Sequence, residues 1–252
     1  MSIATAITNA QNKVAAAYTA VSNKGGTLPA TQNLSNLATA IGSISGSSDL
    51  PNFVSIGVST FTDNSITKIR DHAFSNCNHT NVTNPITTIS CSNVTEIQAY
   101  AFQYCDDLVT AYFPALQKIY THAFDGCANL EQIDLSLITA VSSSGSSLKS
   151  TFQDCSKLTQ VVFSSLAEIS SSKGMQYAFS FCTHLASVSF PALTSTSFGS
   201  YTNQFNSMLD HVTGCTVHFP SNLQSVIGSW TDVTAGFGGT NTTVLFDLTA
   251  TT

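Results

Sequence analysis

Five near-copies of one pentapeptide constrain this chain more than any other feature. They are Ala73-Phe74-Ser75-Asn76-Cys77, Ala101-Phe102-Gln103-Tyr104-Cys105, Ala123-Phe124-Asp125-Gly126-Cys127, Thr151-Phe152-Gln153-Asp154-Cys155 and Ala178-Phe179-Ser180-Phe181-Cys182. The pattern A-F-x-x-C is met in full four times and once with Thr151 in place of Ala. Successive Phe residues are 28, 22, 28 and 27 apart. A recurrence of this length marks a solenoid, in which one unit buries its apolar face only against its neighbours.

The stretch after each Cys repeats as well. Leu108 to Phe113, Leu130 to Leu135, Leu158 to Phe163 and Leu185 to Phe190 share the form L-x-x-V-x-F. The last two apolar slots alternate as in a strand, so the residue between them points to the opposite face. Three residues on comes a second apolar pair, as in Leu116 and Ile119 or Leu166 and Ile169, and then the next A-F-x-x-C turn. The minimal unit is the 22 residues from Phe102 to Phe124. Longer units carry inserts at Ser142 to Ser150 and Ser170 to Gly174, whose Ser and Gly content suits surface loops.

The first long interval carries its insert at Asn78 to Pro85, which leaves Ile86, Ile89 and Cys91 in the strand slots. Phe53, Ile56 and Val58 read as a degenerate first rung, and Val217 and Phe219 as the last. The expected fold is a repeat solenoid of about seven rungs of short parallel β-strands with irregular turns, over roughly residues 53 to 220. The expected division is an N-terminal helical attachment and oligomerisation segment at 1–48, the solenoid at 49–220 and a C-terminal cap at 221–252. In the first segment Ile3, Ile7, Ala10, Val14, Ala17 and Val21 recur at spacings of four and three, an a/d seam over about three heptads. Gly25-Gly26 ends that helix. Leu34, Leu37, Ile41 and Ile44 suggest a second helix, which could cap the open end of the stack. The first helix reads either as a short coiled coil or as a helix lying on the body.

The unit I-x-x-x-A-F-x-x-C-x-x-L-x-x-V-x-F-P resembles the BspA-type leucine-rich repeat over about two thirds of the chain. That resemblance implies a parallel β-stack on one face, irregular turns on the other, and binding through surfaces rather than catalysis. It also implies the company of proteins common on bacterial surfaces and among secreted adhesins. The stretches Ala6 to Val14 and Gly25 to Leu37 are similar to the starts of tail-appendage proteins of phages infecting Firmicutes, and Gly238 to Phe246 resembles endings in the same group.

Composition narrows the function. Charged residues are 9% of the chain, against about 25% in ordinary soluble proteins. A net charge of −6 with eight Lys and Arg disfavours nucleic acid and anionic membrane surfaces as partners. No run approaches the roughly 20 apolar residues that span a bilayer, so membrane insertion is not expected. Met1 to Lys13 lack a basic start followed by an apolar core, so no secretory leader is expected in them.

Of the seven cysteines, five share one repeat slot and Cys91 occupies the slot of Phe113 and Phe163. No C-x-x-C occurs, and the cysteines read as buried, reduced and structural rather than metal-bound. His72 and His122 share the slot before Ala-Phe with Tyr100 and Tyr177, and sit two rungs apart, too far to share a metal. Asp106-Asp107 reads as a turn pair. The chain carries no nucleophile elbow, phosphate loop or H-E-x-x-H, so no catalytic residue, metal or cofactor is expected and the protein is not expected to be an enzyme.

The outward strand residues form the candidate binding surface: Thr110 and Tyr112, Gln132 and Asp134, Gln160 and Val162, Ser187 and Ser189. Rungs about 4.8 Å apart set them in a ladder that is either a solvated sheet face or a recognition surface for a glycan or protein. The first functional reading is a virion appendage, a phage tail-fibre or baseplate component that presents a host-recognition surface. In that reading it binds virion structural proteins through the N-terminal helix and is assembled in the host cytoplasm. The alternative is a bacterial cell-surface or secreted adhesin; a cytoplasmic interaction scaffold is a third reading.

The four-three seam makes the expected assembly a homo-oligomer joined through residues 3 to 21, and the tail-fibre resemblance favours a trimer. Light scattering should then give an oligomer for the full chain and a monomer for a chain starting at Asp49. Monomers in both cases at micromolar concentration would leave the helix as an end cap.

Overall fold

In a computed structural model of the chain, residues 14, 15, 17–19, 59–78, 80, 85–142, 147–171, 173–194, 204–227 and 236–249 are described. The chain divides into two compact units, Met1–Pro51 and Asn52–Thr252.

In the first unit, Val14, Ala15 and Ala17 to Thr19 are helical, and Thr19 Oγ1 donates to the Ala15 carbonyl at 3.0 Å. Val14 and Ala17 are half-buried. Tyr18, outside the four-three seam, is 1% exposed, so the buried face is wider than the seam. Ile3, Ile7, Ala10 and Val21, and the expected second helix, lie outside the described residues.

The second unit is a parallel-strand β-solenoid. One side of each rung carries the L-x-x-V-x-F strand. The first four of these are β1 (Thr60–Thr62), β3 (Thr88–Ser90), β5 (Thr110–Tyr112) and β7 (Gln132–Ile133), hydrogen-bonded in that order. The next four are β9 (Gln160–Val162), β11 (Ser187–Ser189), β12 (Thr216–Pro220) and β13 (Thr243–Leu248), likewise in order. A second side carries β2 (Lys68–Ile69), β4 (Glu96–Ile97) and β6 (Lys118–Ile119), then β8 (Ala140–Val141) and β10 (Glu168–Ile169). Every pairing among these strands is parallel.

The expected rungs between 53 and 220 appear as the seven strands from β1 to β12 on the first side, with two differences. Phe53, Ile56 and Val58 lie outside the described residues; the first described strand puts Phe61 in the apolar slot, opposite Ile89. Asp63 stands where that rung should have its second apolar residue, which hides the strand from a pattern search. At the other end, β13 pairs in register with β12, Val244 opposite Val217, so the ladder runs on past Pro220.

The third side holds the A-F-x-x-C turns and no described strand. Each turn has two residues in the left-handed region. One precedes Ala-Phe or Thr-Phe: His72, Tyr100, His122, Ser150 and Tyr177 have φ between 51° and 57°. The other precedes Cys: Asn76, Tyr104, Asp154 and Phe181 have φ between 58° and 61°, and Gly126 has 76°. For a residue with a Cβ this conformation costs about 1–2 kcal/mol. It turns N–H groups toward the next rung. Phe74, Phe102, Phe124, Phe152 and Phe179 donate to the carbonyls of Ala101, Ala123, Thr151, Ala178 and Met208 at 2.7–2.9 Å. Asn76, Tyr104, Gly126, Asp154 and Phe181 donate to Gln103, Asp125, Gln153, Ser180 and Asp210 at 2.7–2.8 Å.

The same pairings expose a sixth turn, Ser207-Met208-Leu209-Asp210-His211-Val212, with φ of 53° at Ser207 and 60° at His211. There Met-Leu-x-x-Val replaces A-F-x-x-C.

Inside, identical side chains stack in columns because the rung spacing of about 4.8 Å matches ring-stacking distance. Phe74, Phe102, Phe124, Phe152 and Phe179 form one column, with centroids 5.0, 4.9, 5.7 and 5.6 Å apart. Phe163, Phe190, Phe219 and Phe246 form another, at 5.2, 5.3 and 5.9 Å.

Both strand ladders are interrupted near the middle: β7 does not pair with β9, and β6 does not pair with β8. On the first side β7 ends at Ile133, and just beyond it Asp134 Oδ1 accepts the Ser136 N–H at 2.9 Å. The turn side crosses the gap unbroken, with Phe124 bonded to Thr151 and Gly126 to Gln153.

Gly126 sits under the Tyr104 ring, where an added Cβ would lie 2.5 Å from Tyr104 Cδ1. Gly126→Ala should therefore cost more than the left-handed penalty of about 1–2 kcal/mol, and in a Tyr104→Ala background the excess should vanish. Urea denaturation of the four chains measures this; equal losses in both backgrounds would show that Tyr104 does not pack there.

Candidate functional site

The first-side strands present alternate side chains outward, and their register sets the expected surface residues in rows. Thr110 lies opposite Gln132, and Ser187 and Ser189 lie opposite Gln160 and Val162. Thr110, Tyr112, Gln132, Asp134, Gln160 and Val162 are exposed, while Ser187 and Ser189 are half-buried along the same face.

The structure brings four of the eight together. Thr110, Tyr112, Gln132 and Asp134 line one open groove of about 330 Å³, floored by Val109, Ala111 and Ile133 and bounded also by Glu131. Tyr112 is 52% exposed there. Gln160, Val162, Ser187 and Ser189 belong to the second ladder, beyond the interruption. The groove forms where β5 and β7 pair over two residues only, Thr110–Ala111 with Gln132–Ile133. Glu131 was missed by the strand slots because it precedes the strand; its outward position beside Val109 follows only once the register is known.

The other candidate chemistry resolves into structure. His72, Tyr100 and His122 form a stack on the turn side, with centroids 4.9 Å apart at each step. His122 Nδ1 meets Asp125 Oδ2 at 3.1 Å, and Gln103 Nε2 donates to the same oxygen at 3.0 Å. Asp106 and Asp107 are half-buried in the turn after Cys105. Among the described residues, no group of three or more His, Cys, Asp or Glu is placed to hold a metal ion. No described helix is long and apolar enough to cross a membrane.

All seven cysteines are buried and free. Those of the repeat do more than fill space. Cys105, Cys127, Cys155 and Cys182 Sγ donate to the carbonyls of Phe74, Phe102, Phe124 and Phe152 in the preceding rungs, at 2.8–3.2 Å. Burial pushes the thiols of Cys105, Cys127, Cys155 and Cys182 well above the usual range. Burial also raises Cys91 to about 11 and Cys215 to about 12. Cys77, at the head of the column, is instead lowered by the neighbouring Cys105 side chain.

Stacked parallel rungs of L-x-x-V-x-F strands closed by A-F-x-x-C turns define a leucine-rich-repeat solenoid. The chain belongs to the BspA type leucine rich repeat family, whose model matches six copies over residues 67–210. Among solved structures it is similar to a leucine rich cell surface protein from Faecalibacterium prausnitzii, with 22% identity and a TM-score of 0.42. That match covers 65% of this chain and 42% of the other, so this chain spans less than half of that protein's length. No curated protein matches the chain.

Buried thiols make stability fall at alkaline pH. Below about pH 8 the raised thiols are protonated in both states. Between there and pH 11 the unfolded chain ionises while native Cys91 keeps its proton, so the unfolded state binds fewer protons and stability drops. Cys91→Ala should remove up to about 1.4 kcal/mol per pH unit from that slope. Urea midpoints across this range check it; an unchanged slope would place the effect on other groups.

Proposed function

We propose that this chain is a non-enzymatic recognition module, displayed at a bacterial cell surface or secreted, that binds a glycan or protein through the first-side ladder. One observation carries the reading: an exposed tyrosine, an amide, a hydroxyl and a carboxylate from two rungs meet in one open groove. Aromatic rings at exposed sites offer a large rigid contact with little rotamer entropy to lose, and the polar neighbours supply direction. Membership of a repeat family common on bacterial surfaces supports the display.

A second reading, a virion appendage, is favoured by the likeness of Ala6 to Val14 and Gly25 to Leu37 to tail-appendage proteins. In it the N-terminal segment binds virion structural proteins, the chain oligomerises through that segment, and the same groove meets the host. The groove is the recognition surface in both, and the neighbouring genes separate them: tail genes for the virion, an export or anchoring system for the cell surface.

Tyr112→Ala combined with Gln132→Ala should abolish most binding in a screen of glycans and whole bacterial cells, with the thermal midpoint unchanged. Truncating such central contacts typically removes about 2 kcal/mol or more. Full binding by the double variant would move the recognition surface elsewhere on the solenoid.

A further inference from the structure

The two strand-bearing sides differ in charge. The second-side strands balance Lys68 and Lys118 against Glu96 and Glu168, with Lys68 Nζ 3.0 Å from Glu96 Oε1 and Lys118 opposite Glu96 in the next rung. The first-side strands and the residues directly flanking them carry Asp63, Glu131, Asp134 and Asp247, and no Lys or Arg. Asp247 already meets His218 Nδ1 at 3.0 Å. Two of the remaining carboxylates, Glu131 and Asp134, bound the groove together with Tyr112.

Resting on the reading that this groove is the recognition surface, we infer that it takes an arginine side chain from an extended segment of a partner protein. Tyr112, at the end of β5, and Asp134, directly after β7, line the same groove from adjacent rungs. A guanidinium is planar, so it can stack on the phenol ring and fork to a carboxylate at the same time. Asp134 is held for this by the Ser136 N–H on its Oδ1. Glu131 adds a second negative charge on the same wall, which an uncharged sugar leaves without a counter-charge and a sialylated or phosphorylated ligand opposes. The amine of an amino sugar brings its pyranose ring with it, whereas guanidinium enters on a flexible stem. Gln132 and Thr110, exposed along the groove, offer hydrogen bonds to the backbone of the incoming segment.

The test uses the full chain and a blocked pentapeptide, Gly-Gly-Arg-Gly-Gly, with binding read from nitrogen–proton correlation spectra. Its citrulline counterpart has nearly the same shape without the charge. Shifts should cluster at Val109 to Tyr112 and Glu131 to Asp134. The citrulline peptide should bind roughly tenfold more weakly, as expected when a charge-assisted bond becomes a neutral one. Glu131→Gln and Asp134→Asn should each weaken the arginine peptide and reduce its salt dependence. Asp134→Asn keeps an acceptor for Ser136, so the fold should be retained, which the same spectrum reports. Equal binding of the two peptides, shifts elsewhere, no shifts at any concentration, or tighter binding of a glucosamine trimer would each overturn the inference. If a glycan binds whole protein at this groove and the arginine peptide does not, the recognition surface stands and the arginine assignment falls. If neither depends on Tyr112, both fall.

Discussion

Each A-F-x-x-C turn places two residues in the left-handed region, and the N–H groups this frees reach the next rung. These bonds hold the molecule in register. They run without interruption from Phe74 to Leu209, through the region where both strand ladders part. A left-handed residue with a Cβ costs about 1–2 kcal/mol. The five A-F-x-x-C turns and the Ser207 turn nevertheless fill these positions with residues other than glycine, Gly126 excepted. The conformation persists because each A-F-x-x-C turn is over-determined. Its Phe is stacked on its neighbours in the column, its Cys sits against the preceding rung, and its amides are bonded to the following one.

That division of labour explains why the strands can be so short. Pairs such as Lys68–Ile69 or Ala140–Val141 contribute a single apolar side chain inward, and alone they would be marginal. The turn side fixes their height, so each needs only to lay its residue into a column that already exists. It also explains how the first side tolerates a break. The strand ladder can stop at Ile133 because Gly126–Gln153 and Phe124–Thr151 keep the rungs aligned. The loosened pairing is what opens the groove beside Tyr112. A short pairing in one ladder thereby coincides with a concave place on the sheet.

The periodicity of the sequence carried the solenoid, the buried slots and the outward rows, since each follows from side chains that repeat. Cys91 illustrates this: its place among phenylalanines was readable from spacing, and it is fully buried. The features that escaped the reading depended on backbone rather than on residue type. The turn from Ser207 to Val212 keeps the hydrogen bonds of its fellows while lacking both Phe and Cys. β13 continues the ladder although no repeat motif announces its rung. The groove lies where the β5–β7 pairing stops after two residues, a local event with no period. Tyr112, Gln132, Thr110 and Asp134 were accessible as outward positions, but nothing in their types set them apart from Gln160 or Ser187.

The cysteine column bears on where such a protein can work. A free thiol in an oxidising space is vulnerable when it is exposed and ionised, because the thiolate is the attacking species. Here burial opposes both conditions at once for Cys105, Cys127, Cys155 and Cys182, whose ionisation is driven up. Serine in the same slot would bury a stronger donor and acceptor; alanine would leave the Phe carbonyl without its second donor. Cysteine is small enough for the column, apolar enough for the core and still able to donate to the preceding rung. Its protection comes from the same stacking that makes the solenoid, so these four thiols are shielded by the fold itself.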